Sequence, residues 1–591
     1  MAINSNYKAA PSAGAGGGSP YLPQEKLDCL RCEGRLVLGI FFDGTSNNRD
    51  IHLPSKAHSN VARLYAAYPN DLSAGYGRVY IPGVGTPMAE VSDLGGSLGS
   101  GFSSGGEARI LYGVLSVFNA VDNWLRGETR VTPGKFLTDK QVTALCSHSE
   151  LVVTRTSSGM EVKSISDADL ATLKSLDATA GDDPLEMQKK GGLLHDWPGR
   201  NKWRSAFFEA LTSRIVDRIR LTPTPTLKEI VIDVFGFSRG AAQARAFCNH
   251  LYGLADGNKL FGVTFTIRFL GIFDTVASVG IQSGALGYTT GHMAWADPDV
   301  AGGVSINSHI HRCEHYIAMH ENRGSFPLDR ATNPKVRSLG NGNEWAYPGS
   351  HSDVGGGYAP RELGKSLEDK NKLSQIPLNH MYKAAKDAGV PLDRARVPTP
   401  GSTGGEGGDG YDSFEVGAEV QAAFSAFRAT SPSTGTTQDY LLPYIAWQFR
   451  VLDSYPTMAF YKTASRSEAA LIDDTQKKFR GDIARVKGET QSKWYDYASP
   501  LWATLKNLTE SARQYLWIDE DMWEKIRTFR TIHAAENALF ENYVHDSLAG
   551  FAKDFSEPTG RLHWRRIFYG SETAALAHHD AGPSPAGSEL A

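Results

Sequence analysis

Glu229-Ile-Val-Ile-Asp-Val-Phe-Gly-Phe237-Ser238-Arg239-Gly240-Ala-Ala-Gln-Ala244 decides the reading of this chain. Residues 229–237 form an apolar, β-branched run of strand length, the pattern of a strand buried on both faces. The run ends in Gly236-Phe-Ser-Arg-Gly240, and small residues follow at helical spacing. A G-x-S-x-G pentapeptide between a buried strand and a helix is the setting of a nucleophile elbow. The glycines let the backbone turn sharply without a Cβ clash. The turn carries Ser238 as nucleophile, and the next N–H, from Arg239, is a candidate oxyanion donor.

Further strands and helices extend the pattern on both sides. Leu36-Val-Leu-Gly-Ile-Phe-Phe42 reads as a second buried strand and ends in the turn Asp43-Gly44-Thr45-Ser46-Asn47-Asn48. Ala108–Leu125 and Lys202–Arg220 carry helical periodicity, and Val263–Phe273 reads as another strand. Strands alternating with helices predict an α/β, mostly parallel sheet with helices on both faces. In such sheets, reactive groups gather at the carboxyl ends of the strands.

A nucleophilic serine needs a base, and the base needs an orienting carboxylate. Asp274 ends the strand Arg268-Phe-Leu-Gly-Ile-Phe-Asp274, and His351 sits in the glycine-rich loop Pro348-Gly-Ser-His-Ser-Asp-Val-Gly-Gly-Gly-Tyr358. The chain order Ser, Asp, His is that of an α/β-hydrolase. Asp353 competes for the orienting role, and His545 is a second histidine in a distinctive setting, Tyr543-Val-His-Asp-Ser547. The loop after the first core strand offers Gly44 and Thr45 as further backbone oxyanion donors; the plain alternative is an Asx-type turn.

The ordered set Phe41-Phe-Asp-Gly-Thr-Ser-Asn-Asn48, Gly83-Val-Gly-Thr86, Gly236-Phe-Ser-Arg-Gly240, Phe273-Asp-Thr-Val276, His320-Glu-Asn-Arg323 and Pro348–Tyr358 resembles the first lipase-effector family of type VI secretion. Tyr543–Ser547 and Trp564-Arg-Arg-Ile-Phe-Tyr-Gly570 also look like that family. The resemblance implies an α/β-hydrolase fold and a phospholipase A, with the sn-2 ester preferred and the sn-1 ester a second target. Its triad roles map onto Ser238, Asp274 and His351. It further implies an antibacterial toxin carried by the secretion spike protein, a cognate immunity protein, and action on the phospholipid bilayer at the target cell's periplasm and inner membrane. It adds a membrane-anchoring module to the catalytic one.

The expected organisation is a flexible segment over 1–34 and a catalytic module over 35–375, with an insertion at 127–200. A mostly helical, aromatic module follows over 376–570, its residues 540–570 packing back on the first module, and 571–591 form a flexible tail. Trp494, Trp502, Trp517 and Trp523 belong either to a helical core or to a membrane-surface docking face.

Composition narrows the alternatives. The 591 residues carry 61 basic and 65 acidic side chains, a net charge of −4, which argues against a generally basic nucleic-acid binder. Hydrophobic residues at 41% suffice for a large core. Five cysteines make no disulfide framework. The lone pair Cys29 and Cys32 lacks the further ligands of a zinc site. The N-terminal residues contain no apolar signal-peptide core, and no run reaches the ~18 apolar residues of a membrane span. The chain is therefore expected to be made without a signal peptide, leave by another machine and act as a peripheral protein. His311-Arg-Cys-Glu-His315 fits an inverted zinc-protease pattern, but a hydrogen-bonded histidine cluster is the plainer reading. Gly99–Gly105 is one residue off a dinucleotide fingerprint and reads as a loop over the site. Serine hydrolysis requires no cofactor, and nothing in the sequence speaks to calcium. Two rival functions remain: a serine esterase acting on a soluble substrate, and a non-enzymatic membrane-disrupting toxin.

Overall fold

A computed structural model describes residues 7–11, 28–91, 93–95, 105–131, 151–156, 159–164, 198–222, 226–277, 305–331, 342–397, 412–487, 520–551, 560–569 and 578–579. Its centre is a nine-stranded sheet. Along the main path the order is Thr434–Gly435, Tyr7–Ala9, Gly342–Tyr347, Arg312–Ala318, Val263–Phe273, Glu229–Phe237, Arg35–Phe42 and Tyr76–Ile81. Pairing is parallel between all of these except at Thr434–Gly435, and Lys259–Leu260 adds a short antiparallel strand beside Val263.

Alternation explains the continuous apolar runs. In the strand Glu229–Phe237, Val231, Phe235 and Phe237 enter one core, while Ile230, Ile232 and Val234 enter the other. Val37 and Phe41 likewise separate from Leu36, Leu38, Ile40 and Phe42. A strand covered on both faces must be apolar at every position, unlike one with a wet face. Phe41 stacks on Phe235 across the sheet at 4.9 Å between centroids. Asp233 interrupts the run, and its buried carboxylate accepts from Arg268 at 2.9 and 2.6 Å and from the Tyr68 hydroxyl at 2.7 Å. Those bonds meet the need of a buried charge for partners.

The helices Gly106–Arg126, Pro198–Leu221 and Arg239–Leu254 cover one face. Asn60–Ala67, Gln375–Asp387, Ala418–Thr430 and Thr437–Val451 cover the other. The expected module boundary at 375/376 therefore falls inside a helix, Gln375–Asp387. Ile376, Leu378 and Met381 share a single core with Phe235 and Phe269 of the sheet and with Phe540, Trp564 and Ile567 of the C-terminal segment.

Three observations bear on the expected organisation. The lead-in 1–34 supplies a sheet strand, Tyr7–Ala9, paired with Trp345 and Ala346, and a helical turn, Leu30–Glu33. The tail supplies His578–His579, paired with Arg566 and Ile567. Trp523 is buried, with its ring edge-on to Phe449 at 5.2 Å, so it belongs to the core. Trp494, Trp502 and Trp517 lie outside the described residues, as does the Gly99 end of the glycine-rich loop. Within 127–200 the described strands Leu151–Thr156 and Gly159–Ser164 form an antiparallel hairpin. Among the described residues no helix is long and apolar enough to cross a membrane.

Candidate active site

The strand Glu229–Phe237 ends at Ser238, which has φ 58° and ψ −127° and caps the helix Arg239–Leu254. A non-glycine residue in that region costs of order 1–3 kcal/mol and is held there by its surroundings. The Ser238 N–H donates to Phe273 O at 3.0 Å, and Ser238 O accepts from Val276 N at 3.2 Å. These bonds tie the turn to the end of the neighbouring strand. The two motif glycines have separate reasons. A Cβ on Gly236 would lie 2.6 Å from Ala241 Cα, and one on Gly240 would lie 2.2 Å from Asp43 O. The first contact lets the helix fold back on its strand, and the second brings the Asp43 loop against the elbow.

Phe237 pairs with Phe273, so Ser238 and Asp274 leave adjacent strands side by side at their carboxyl ends. Asp274 also has positive φ, 37°. Its N–H donates to Tyr316 O at 2.7 Å, and its Oδ1 accepts from Ala318 N at 2.9 Å. Asp274 Oδ2 lies 2.6 Å from His351 Nδ1. Burial pushes the Asp274 carboxyl up, but the Arg565 charge and the bond to His351 together hold it well below the usual carboxylate range.

His351 opens the short helix His351–Gly355, capped by Ser350 with Asp353 in a capping box. Its N–H donates to Glu321 Oε2 at 3.2 Å. Its ring packs on Phe237 at 4.6 Å, next to Ser238, and meets Phe326 edge-on at 4.9 Å. His351 Nε2 is buried and has no hydrogen-bond partner among the described residues. Burial lowers the His351 pKa from its ordinary value, with Asp274 opposing the shift. A neutral imidazole that donates Nδ1–H to the carboxylate leaves Nε2 as an acceptor. Ser238 is 2% and His351 3% exposed, and the buried Phe326 ring packs against His351.

Asp353 and His545 form a second pair, Oδ1 to Nδ1 at 2.6 Å, and the His545 N–H adds a bond to Asp353 Oδ2 at 2.9 Å. Tyr358 stacks on the His545 ring at 3.9 Å. Asp353 thus serves His545 and the capping box, while Asp274 serves His351. Of the two histidines, His351 packs on Phe237, the residue before Ser238, and His545 on Tyr358.

Of the expected oxyanion donors, the Gly44 N–H donates to Asp43 Oδ1 at 2.7 Å. The Asp43 carboxylate also accepts from Ser59 and Tyr80 hydroxyls, both at 2.5 Å, so it shapes the loop. Thr45 Oγ1 accepts from Arg239 Nη1 at 3.2 Å, which brings the loop and the elbow together. Arg239 N stands in the first turn of its helix, where N–H groups lack intrahelical acceptors. Burial, reinforced by Arg323, lowers the Arg239 guanidinium to about 10.

The zinc-like motif resolves differently. His315 lies in the strand Arg312–Ala318 rather than on a helix. At ~3.3 Å per residue, His311 and His315 stand roughly 13 Å apart along the chain, too far to share one ion. His315 Nδ1 lies 2.9 Å from Glu344 Oε2, and His315 Nε2 accepts from Thr275 N at 3.2 Å. His320 accepts at Nδ1 from Gly349 N, and burial lowers its pKa to about 3. Among the described residues no group of three metal-ligating side chains converges.

Sequence reasoning missed Arg565, Glu321, Arg323 and Phe326 as parts of this cluster. Arg565 Nη1 and Nη2 reach both Asp274 oxygens, at 2.8 and 2.7 Å. Glu321 accepts Arg323 in a fork, 3.0 and 2.9 Å, and the Ser547 hydroxyl at 3.1 Å. Burial pushes the Glu321 carboxyl up, yet Arg323 and its neighbours hold it at about 2. The quoted motifs His320–Arg323 and Trp564–Gly570 contained most of these residues, but their spacing carried no roles.

Residues 254–384 match the family described as "T6SS, Phospholipase effector Tle1-like, catalytic domain". The match contains Asp274 and His351 and leaves Ser238 outside it. The resemblance drawn from the motifs therefore holds over that region. A solved structure of an uncharacterised protein from Pseudomonas aeruginosa shares 23% identity, covering 92% of this chain and 80% of its own, with a TM-score of 0.61. That likeness is one of fold. The structure of the Tle1 effector bound to the VgrG spike of the type VI secretion system shares 16% identity over 71% of this chain and 81% of its own, with a TM-score of 0.31, too low to argue from. No curated protein matches the chain.

Proposed function

We propose that this chain is a serine hydrolase of membrane phospholipids, a phospholipase A that cleaves acyl esters by a Ser238–His351–Asp274 mechanism. His351 Nε2 takes the Ser238 proton as Oγ attacks the ester carbonyl. Asp274 holds the imidazole tautomer and stabilises the cation that forms. The Arg239 N–H, with the Thr45 loop beside it, stabilises the developing oxyanion. His351 then returns the proton to the leaving alkoxide, releasing lysophospholipid. Water frees the fatty acid in the second half-reaction. The observation that carries this reading is the 2.6 Å Asp274–His351 pair packed against Phe237, the residue before a positive-φ serine.

The match of residues 254–384 to the type VI phospholipase effectors supports phospholipid as substrate and antibacterial toxicity as purpose. On the same ground the proposal includes carriage by the secretion spike, a cognate immunity protein, and action at the target cell's inner membrane from the periplasmic side. The sn-2 ester is the proposed main target, with the sn-1 ester second. Phospholipid vesicles labelled differently in the two acyl chains test this. Release of the sn-2 fatty acid ahead of the sn-1 chain supports the assignment. Turnover of soluble esters with intact vesicles would favour the esterase reading instead.

A further inference from the structure

Arg565 is the residue that the Ser–His–Asp scheme does not yet use. It stands immediately before the strand Arg566–Tyr569, which pairs in parallel with Leu328–Arg330. That pairing fixes its backbone against the catalytic half of the chain. Its side chain makes four hydrogen bonds: Nε donates to Phe326 O at 2.9 Å, Nη1 to Asp274 Oδ1 at 2.8 Å and to Ala318 O at 3.3 Å, and Nη2 to Asp274 Oδ2 at 2.7 Å. Both members of the ion pair are buried, at 2% and 0% side-chain exposure.

We propose that Arg565 is a positioning residue for Asp274, so that the C-terminal segment completes the catalytic dyad across 291 residues of sequence. This rests on the triad reading above. The planar fork fixes the carboxylate in one orientation. Each oxygen then has two donors: Ala318 N and Arg565 on Oδ1, His351 Nδ1 and Arg565 on Oδ2. With that plane fixed, Oδ2 meets Nδ1 and the imidazole ring is held against Phe237, the residue before Ser238. Lysine keeps the charge but lacks the fork. The contact with Phe326 O also joins the fork to the aromatic ring that lies over His351. Arg565 therefore links the dyad to the Phe326 segment.

The charge has a second consequence. The charged groups facing His351 are Asp274, Glu321 and Arg323, with Arg565 acting through Asp274. Removing Arg565 leaves Asp274 to act on the imidazole with its full negative charge, which favours the imidazolium. The acid limb of kcat/KM then moves to higher pH.

The test compares Arg565→Lys, Arg565→Gln and Arg561→Lys in the full chain, with Ser238→Ala as reference. Arg561 pairs with Asp546 in the same segment and touches neither Asp274 nor His351, so it controls for folding. Hydrolysis of phospholipid vesicles and thermal melting are measured for each. For Arg565→Lys we expect kcat to fall by roughly a hundredfold with KM within about threefold, the size of loss that a misplaced catalytic group produces. Arg565→Gln additionally shifts the acid limb upward, and added guanidinium ion restores part of its rate. Arg561→Lys loses stability without that shift. Arg565→Lys folded with wild-type kcat, or Arg565→Gln folded with an unmoved pH profile, overturns the proposal while leaving the triad intact. If Arg565→Gln fails to fold, the kcat of Arg565→Lys decides alone. Activity surviving in Ser238→Ala overturns the triad reading instead.

Discussion

His351 Nδ1 lies 2.6 Å from Asp274 Oδ2, although 77 residues separate the two in sequence. Both sit at the carboxyl edge of the sheet, where parallel strands deliver loops to one rim. Burial of the ring lowers its pKa, while Asp274 limits the shift. The sign follows. A general base works in its neutral form, so a lowered pKa keeps it competent below the ordinary value near 6.5. Activity is full at higher pH and falls as pH drops through the lowered His351 pKa. A kcat/KM profile on a soluble ester should therefore have its acid midpoint below 6.5; a midpoint above 6.5 contradicts this environment for the base.

The two acid–histidine pairs should separate by mutation. His351→Ala should lower kcat by ~10³-fold or more, as removal of a triad base does, with little change in melting temperature. His545→Ala strands the buried Asp353 carboxylate and should cost on the order of 3 kcal/mol of stability. Its kcat below the melting transition should stay within about tenfold of wild type. Loss of chemistry in a well-folded His545→Ala, with His351→Ala active, would exchange the two roles.

Gly240→Ala tests the elbow's packing. Its Cβ would stand 2.2 Å from Asp43 O and 2.5 Å from Phe42 O, and backbone cannot yield as a side-chain tip does. Overpacking of this kind costs typically 1–3 kcal/mol. We expect a lowered melting temperature and a larger proportional loss of activity, because the displaced loop carries Thr45. An unchanged melting temperature would mean that the loop gives way without cost.

Burial of Ser238 and His351 makes access a separate step. A fluorophosphonate that labels nucleophilic serines should react slowly with the protein in buffer and several-fold faster with phospholipid vesicles present. Equal rates in the two conditions would show that the site opens freely in solution.

Much of this arrangement was legible in the sequence, and the remainder has physical reasons for its silence. The strand Glu229–Phe237 and the helix after it were readable because residues alternate between two cores, leaving an unbroken apolar run. Asp274 and His351 stood out because a titratable residue at a strand end and one in a glycine-rich loop differ from their surroundings. Tyr7–Ala9 was invisible, since three residues that pair by backbone leave no side-chain period. Arg565 was quoted within a motif, but nothing local says that a guanidinium will meet a carboxylate 291 positions away. The expected module boundary falls inside Gln375–Asp387, because that helix carries an apolar face like any core helix and composition shifts only after it.

The most direct test of the central claim is the product spectrum of wild type and Ser238→Ala incubated with phospholipid vesicles, read by mass. The account predicts lysophospholipid and free fatty acid from wild type, and a rate lower by several orders of magnitude from a Ser238→Ala protein with an unchanged melting temperature. Lysophospholipid appearing at near wild-type rate from Ser238→Ala would contradict it.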